Sequence, residues 1–454
     1  MKKIIAILLT AVMLVLVFSG CGGQGGVYFG DELSKESLRI CVDSWRSDPV
    51  EEQRMKDAEA FFESLASELK VQCGIEKITF ELLPQSSVKR STKLQRLRTE
   101  IMAGEGPDLF IVQTTCNSMN SDLYKDALFN YPEKSMEVGL FLPLDEYMEN
   151  SSRFTDWDAQ TQAVLEAGRN REGQMLIPMV YHIPLLIYPA EGVDIPYTTE
   201  LSRRDILDDE DTAKLGAVLY SAISYKKDGD ETTTRTHYDA VRDTLGQYAD
   251  YEKEELLFTE EELYSVVSEA FELKKVMGGN EWPYYEWTDA FTGDLTGKIR
   301  SSDVERCLLP RYTKDGGVTA RVMSFMAVNR STQFPEEAFS VIDYLMREEA
   351  QCKSMLYDYY FCDGFPLQND LGSEEKPLNA ARGEKGLPEP YMSELLQIKD
   401  QITAVNIEGE LDVTLNDMMN SLIIEETVDM ESSTAIPKDL VEKTYEKMAR
   451  ALKE

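Results

Sequence analysis

The chain has 454 residues and a formal net charge of -35, from 82 acidic and 47 basic side chains. This length exceeds what one hydrophobic core usually supports, and it predicts two lobes. Because so negative a body repels phosphate backbones, we expect no nucleic acid partner.

The first 21 residues have the pattern of an export signal. Two lysines precede an almost uninterrupted apolar run over residues 4–18. A run of about 15 apolar residues matches a signal peptide, whereas a membrane-spanning helix needs about 20. Residues 18–21, Phe-Ser-Gly-Cys, resemble the bacterial lipobox, which implies removal of residues 1–20 and a diacylglycerol on Cys21. We therefore expect an anchor on the extracellular face of the cell membrane, of a Gram-positive bacterium.

The residues after Cys21 predict a tether. Residues 22–26 are glycine-rich, as flexible spacers are, and we assign residues 21–37 to the lipidated cysteine and its leash. No later stretch of the sequence is long and apolar enough to cross a bilayer. Secretion without lipid, with Cys21 as a chance residue, is the alternative.

The first part of the body alternates strands and helices. Strands are predicted at residues 38–42, 78–83 and 108–112, with an amphipathic helix after the first and a basic helix after the second. This order predicts a parallel sheet with helices on both faces. The basic helix is expected to turn Leu94, Leu97 and Ile101 inward and Lys93, Arg96 and Arg98 outward.

The ends of these strands nominate ligand contacts. In open α/β sheets, ligands bind at the loops that follow the carboxyl ends of the strands. That rule selects Asp43 and Trp45 after the first strand and Thr114 after the third.

The rest of the chain gives broader signals. Residues 191–272 are acidic and helix-rich, and we interpret their densest charge cluster, residues 208–211, as solvated surface. A strand is predicted at residues 322–328, before a helix that opens at Pro335. A last amphipathic helix places Val441, Tyr445, Met448 and Leu452 on one face.

Cysteine spacing predicts no zinc site. Six cysteines remain besides Cys21, and an oxidising compartment permits disulfides between them. Cys352 and Cys362 form the pair to test first. Cys41 lies in an apolar strand, where a buried thiol is expected.

Six segments carry a family resemblance. They are a helix leading into Gly-x-x-Pro-Asp at 94–110, the segment 142–147, the strand lead-in 173–178 with Tyr181, the strand-turn-helix 325–345, the Gly-x-Pro turn 364–366 and two amphipathic helices over 418–452. In order and spacing they resemble the sugar-binding type (family 1) of the extracellular solute-binding proteins of ABC importers. Residues 187–190 depart from it, since they are Ile-Tyr-Pro-Ala where the family usually has an aromatic-Asn-Lys sequence.

The resemblance implies an α/β, two-lobed, periplasmic-binding-protein-like fold of type II. Each lobe would be a mixed, mostly parallel sheet flanked by helices, with a hinge between the lobes. Lobe 1 would take residues 38–146 and 303–350, and lobe 2 residues 147–302 and 351–454. The resemblance also implies a monomer that captures a mono- or oligosaccharide without a cofactor or a metal and delivers it to ABC permease subunits.

A sugar site needs aromatic faces and planar polar groups. The aromatic segment 280–287 is the densest of the chain. The candidates for stacking are Trp45, Trp282, Trp287 and Tyr181, and those for hydrogen bonding are Asp43, Thr114, Glu286 and the hydroxyl of Tyr181. Trp157 is expected to pack in the core.

Other functions stay open at this point. A peptide or another polar solute would suit the same kind of receptor. A surface enzyme acting on glycans is an alternative because 82 acidic residues allow a catalytic pair. Against it, the sequence has no nucleophile elbow or phosphate loop, and its two histidines, His182 and His237, are far apart. A surface scaffold or adhesin is the third possibility.

Overall fold

The computed structural model describes residues 27–30, 36–44, 52–84, 87–114, 127–189, 241–276, 286–289, 292–300, 306–361, 364–378, 385–424 and 436–453. In chain order its elements are β1 (Val27–Gly30), β2 (Leu38–Asp43), α1 (Glu52–Cys73), β3 (Ile78–Leu82), α2 (Ser87–Met102), β4 (Leu109–Gln113), α3 (Pro132–Glu137), α4 (Asp145–Asn150), α5 (Gln162–Glu166), β5 (Arg169–Asn170), β6 (Gly173–Gln174), β7 (Ile177–His182), β8 (Pro184–Pro189), β9 (Ala249–Asp250), β10 (Glu255–Leu256), α6 (Glu260–Val276), β11 (Glu286–Asp289), α7 (Thr292–Arg300), β12 (Arg306–Pro310), β13 (Val318–Val328), α8 (Pro335–Leu345), α9 (Glu348–Lys353), a π-helical turn (Leu356–Tyr360), β14 (Phe365–Pro366), α10 (Glu389–Lys399), β15 (Ile402–Ile407), α11 (Glu410–Ile424) and α12 (Lys438–Lys453).

A mixed main sheet organises the described residues. Its strand order is β1-β3-β2-β4-β13-β7-β14, and β15 also pairs with β13. Strand β2 is parallel to both β3 and β4, whereas β13 is antiparallel to β4 and β7. The predicted β-α-β-α-β order and the α/β class are therefore confirmed.

The apolar faces of the helices follow the predicted periodicity in most places. Leu94, Leu97 and Ile101 of α2 are buried, as are the apolar residues of α8. Lys93 is a correction, because it is 3 % exposed and pairs with the fully buried Glu81 of β3. A carboxylate inside a sheet needs a cationic partner, so it draws this lysine inward.

The N-terminal segment also differs from the prediction. We assigned residues 21–37 to a tether, yet β1 lies within them and pairs antiparallel with β3 from Val27↔Leu82 to Gly30↔Thr79. A short edge strand carries little apolar periodicity of its own, so its tertiary pairing was not visible in the sequence. The main sheet therefore begins five residues after the glycine-rich stretch starts.

The chain leaves the main sheet between β7 and β8. Strand β7 lies in the main sheet, paired with β13 and β14. The following strand β8 leaves it and forms a separate three-stranded sheet with β11 and β12. The change of sheet occurs at Ile183, between β7 and β8.

The described residues form two apolar cores. The larger surrounds the main sheet. The smaller joins the chain around residues 241–270 to α11 and α12, and it contains Val441, Met448 and Leu452 with Tyr445 packed against it. The predicted buried face of the last helix is thus confirmed.

The proposed disulfide does not form at Cys352. This residue is a free, buried cysteine whose thiol donates to the Pro377 carbonyl at 3.1 Å. Its proposed partner, Cys362, lies outside the described residues. Cys41 is free and buried, as expected.

None of the helices in the described ranges combines the length and the apolar composition that a membrane-spanning helix needs.

Candidate functional site

Three strands of the main sheet end at the same side. Strands β2 and β4 are parallel, and both β4 and β7 are antiparallel to β13, so β4 and β7 also run in one direction. Asp43 ends β2, Thr114 directly follows β4, and His182 ends β7. We call this side of the sheet the carboxyl edge. Asp43 and Thr114 therefore lie at the same edge of the sheet, on neighbouring strands.

The Asp43 side chain is held by an arginine. Arg90 in the first turn of α2 donates from Nη1 to Oδ1 at 2.8 Å and from Nη2 to Oδ2 at 2.7 Å. This two-point geometry fixes the plane of the carboxylate. Asp43 is 3 % exposed, so the arginine offsets the cost of burying its charge, and contact of this carboxylate with a ligand stays a prediction.

Thr114 continues the ladder beyond β4. Its backbone N–H and its hydroxyl both donate to the Met323 carbonyl, at 2.9 and 3.0 Å. With its proton used in this way, the hydroxyl would meet a ligand as an acceptor. The contact ties the end of β4 to the middle of β13.

Tyr181 has a different place from the one we predicted. Its ring is fully buried beside Phe365, and its hydroxyl is hydrogen-bonded to the Thr161 hydroxyl at 3.0 Å. Burial raises the pKa of this phenol well above its usual value. An enclosed ring offers no face for stacking, so Tyr181 serves the core. The sequence pattern, an apolar strand with a tyrosine, is compatible with a buried ring and with an exposed one. The Tyr181 ring is buried because β14 packs beside it.

The structure describes the remaining candidates only in part. Trp45 and Trp282 lie outside the described residues, and the side chains of Glu286 and Trp287 do as well. The backbone of the last two belongs to β11, where they pair with Ile187 and Leu186 of β8. Their role in binding stays a prediction.

Beyond the carboxyl edge lies a buried ion network that the sequence analysis missed. All of its members are at most 3 % exposed. They are Arg242 and Asp243 in the helical turn 241–245, Arg311 after β12, Arg321 on β13, and Glu408 and Asp412 around the start of α11.

Asp243 is the centre of this network. Its Oδ2 accepts from Arg311 Nη1 at 2.6 Å, and its Oδ1 lies 3.3 Å from Arg242 Nε and 3.6 Å from Arg321 Nε. Glu408 Oε1 lies 3.2 Å from Arg321 Nη1 and 3.5 Å from Arg242 Nη1. The network therefore joins four separate parts of the chain.

Burial shifts the acids of this network. Desolvation raises the pKa of Glu408 and of Asp412, while Arg321 and Arg242 oppose that shift. Three guanidinium groups face three carboxyl groups, so the set is close to balanced. Such a balanced, enclosed network suits the joining of segments better than the capture of an ion.

One signal could have revealed it. Arg321 is the single charged residue of the eleven-residue strand β13, and an arginine within a buried strand needs an acidic partner. Our predicted strand began one residue later, so Arg321 was left outside it.

Among the described residues, no group of three or more histidine, cysteine or acidic side chains is arranged to hold a metal ion.

Comparison with known proteins supplies the fold. No protein-family model and no curated protein sequence matches the chain. Solved structures do match over almost their whole length. One is an extracellular solute-binding protein of family 1 from Alicyclobacillus acidocaldarius, with a TM-score of 0.53, 14% identity, and coverage of 92% of this chain and 98% of the other.

Two further structures give the same picture. A cyclic alpha-maltosyl-1,6-maltose binding protein from Arthrobacter globiformis has a TM-score of 0.53 at 12% identity, covering 91% of this chain and 99% of its own. A periplasmic oligogalacturonide binding protein from Yersinia enterocolitica has a TM-score of 0.53 at 13% identity, covering 92% and 99%.

The chain has the fold of the extracellular solute-binding proteins. The resemblance inferred from short motifs is confirmed at the level of the fold. In this solute-binding-protein fold, the chain passes from β7 at the carboxyl edge of the main sheet to β8 of the three-stranded sheet, and β13 pairs with β7 beside this crossing.

The ion network should stabilise the fold strongly. In Asp243→Ala, the carboxylate that three guanidinium groups share is lost, and we expect the free energy of unfolding to fall by about 3–5 kcal/mol. Denaturant unfolding followed by circular dichroism measures this change. Asp250→Ala is the matched control, because Asp250 pairs with the exposed Lys253 on the surface and should hardly move the midpoint. Equal midpoints for Asp243→Ala and Asp250→Ala would contradict the structural role of the network.

A lysine beside Tyr181 should make stability depend on pH. Lys399 Nζ donates to the Asn369 carbonyl at 2.7 Å and lies 5.9 Å from the centre of the Tyr181 ring. Burial lowers its pKa from 10.5 to about 7, against the opposing effect of Asp370. Between these two values the unfolded chain binds a proton that the folded chain does not, so this group makes stability rise with pH.

Lys399→Met removes that contribution. From pH 7 to pH 10, the stability of the parent relative to the variant should therefore increase, as measured by thermal unfolding midpoints at each pH. Lys443→Met, at an exposed position of α12, controls for the loss of a lysine. A parent-to-variant difference that stays flat over this range would rule out a neutral Lys399 in the folded state.

Proposed function

We propose that this protein is an extracellular solute-binding protein, anchored by lipid on Cys21, that captures a carbohydrate between two lobes and delivers it to the permease of an ABC transporter. The observation that carries this proposal is the fold, which matches binding proteins over more than nine-tenths of the chain. Two of those proteins are described as binding sugars, one a cyclic maltosyl-maltose and the other an oligogalacturonide.

The proposed lobes follow the strand pairing. Lobe 1 is built on the main sheet, in which β1, β7, β14 and β15 join the strands that the sequence assigned to it. Lobe 2 contains the second core and the β8-β11-β12 sheet, whose Leu185 and Leu308 pack in the larger core. The proposed hinge lies at Ile183 and along β13.

The proposed site is the carboxyl edge of lobe 1 facing lobe 2. Asp43, whose plane Arg90 fixes, accepts from sugar hydroxyls, and Thr114 offers a second acceptor. Trp45, Trp282 and Trp287 supply the faces against which the apolar side of a sugar ring packs. Contacts from both lobes favour the closed form, which the monomeric receptor presents to the permease without a cofactor.

Other solutes and activities are tested by the same assays. A peptide or another polar solute would use the same edge. A surface glycan-acting enzyme would instead need a pair of carboxyl groups as acid and as base or nucleophile. If the protein forms product from a glycan pool, it is an enzyme and not a receptor. If it binds a surface partner but shows no response to any ligand, a scaffold is favoured.

A ligand screen tests the proposal directly. Thermal shift across mono- and oligosaccharides, with peptides and amino acids as the comparison set, should give a stabilising hit among the sugars. Hits confined to peptides would support the receptor role and exclude a sugar as the ligand. No hit in either set, with no turnover, would contradict capture of both solute classes.

The tryptophans test the site. We expect Trp45→Ala and Trp282→Ala each to weaken binding of the best ligand about tenfold, which corresponds to about 1.4 kcal/mol, with unchanged circular dichroism. Trp157→Phe is the control, because Trp157 packs near Phe339 and donates to the Ser152 hydroxyl at 2.8 Å, away from the carboxyl edge. Titration by calorimetry measures all three. Unchanged affinity in both alanine variants would remove the aromatic site.

A further inference from the structure

The direction of β1 determines where the N-terminal segment meets the folded body. Since β1 is antiparallel to β3, its first residue, Val27, is level with Leu82 at the end of β3. Leu82 is in turn level with Val42, the residue before Asp43. The chain from Cys21 therefore joins the main sheet at the carboxyl edge and not at the opposite one.

The distances involved are short. Six Cα–Cα steps separate Cys21 from Val27, and an extended chain of that length spans at most about 20 Å. Strand β1 is two places from β2 in the sheet, which is about 10 Å at the usual spacing of strands. The lipid anchor and Asp43 are thus within about 30 Å of each other.

We propose that β1 orients the protein on the lipid surface, with the carboxyl edge of lobe 1 turned toward the bilayer. This inference rests on the proposed lipid on Cys21. A leash attached at residue 38, as the sequence alone predicted, would join the sheet at the opposite edge, because Leu38 begins β2, and its 16 residues would leave the orientation free. Pairing of β1 shortens the leash to residues 22–26, which restricts that freedom and turns the proposed ligand site toward the membrane.

Charge explains why the short tether matters. The chain carries a net charge of -35, so anionic lipid repels the body as a whole. We therefore expect the point of attachment to set the orientation. Val27, at the carboxyl edge, is that point.

Helix α2 provides two matched positions for a probe. It starts after β3 at the carboxyl edge and ends before β4 at the opposite edge. Lys89 near its start and Met102 at its end are both exposed. Thirteen residues of helix place them about 20 Å apart along its axis.

The experiment uses the full-length lipidated protein in phosphatidylcholine vesicles that contain nitroxide-labelled headgroups. A small fluorescent amino acid replaces Lys89 in one preparation and Met102 in another. We expect about twofold stronger quenching at position 89 than at position 102, because the two ends of the helix differ by about 20 Å in distance from the bilayer. Equal quenching, or stronger quenching at position 102, would overturn the proposal.

Two insertions test the role of β1. Twenty glycine and serine residues inserted between Gly26 and Val27 should abolish the difference between the two probes. The same insertion directly after Gly30 should preserve it, because β1 stays equally close to the lipid and the longer loop costs little. Loss of the difference in both variants, or in neither, would contradict orientation by β1.

Failure of this inference is distinguishable from failure of the proposed function. Mass spectrometry of the mature N-terminus tests the lipid on Cys21, and an unmodified Cys21 would overturn both the anchor and the orientation. Ligand binding by the calorimetric assay depends on neither. A lipidated, sugar-binding protein with equal quenching at both probes would retain the function and lose only the orientation.

Discussion

All eleven residues of β13 are buried, and the strand changes partners along its length. From Val318 to Val322 it pairs with β15, and from Ser324 to Val328 it pairs with β4 on one side. Ser324, Phe325 and Met326 also pair with β7 on the other side. One extended segment thereby joins the main sheet to the ion network. A slip of one residue would turn Arg321 away from Asp243 and Glu408. The register of β13 therefore determines both the pairing of the main sheet and the contacts of the ion network.

Buried charge follows a consistent pattern in this acidic protein. Asp43, Glu81 and Asp243 are all enclosed, and each faces at least one arginine or lysine. A buried carboxylate without a partner is costly, which accounts for these pairings. Among the described residues, buried acids and buried bases nearly balance, so the net charge of -35 lies on the rest of the protein.

The proposed ligand site also contains a buried carboxylate that is paired with a basic side chain. Arg90 satisfies Asp43 and at the same time sets the plane of its carboxylate. Thr114 is held by Met323 on β13. Both polar groups are therefore positioned by the scaffold before any ligand arrives, and a preorganised site loses less conformational freedom on binding. The tether would present this edge to the membrane, which is the side from which a permease would receive the ligand.

Local patterns in the sequence determined β2, β3 and β4, the buried faces of α2, α8 and α12, and the position of Asp43 and Thr114 at the ends of neighbouring strands, because apolar periodicity and strand order act over short stretches. Only the tertiary structure decided the rest. Tyr181 became a core residue because β14 packs beside it, β1 became part of the sheet because β3 offers it an edge, and Arg321 lies in the interior because Asp243 and Glu408 come to it from distant parts of the chain. Each of these outcomes depends on partners that are remote in sequence, and no local pattern records such partners.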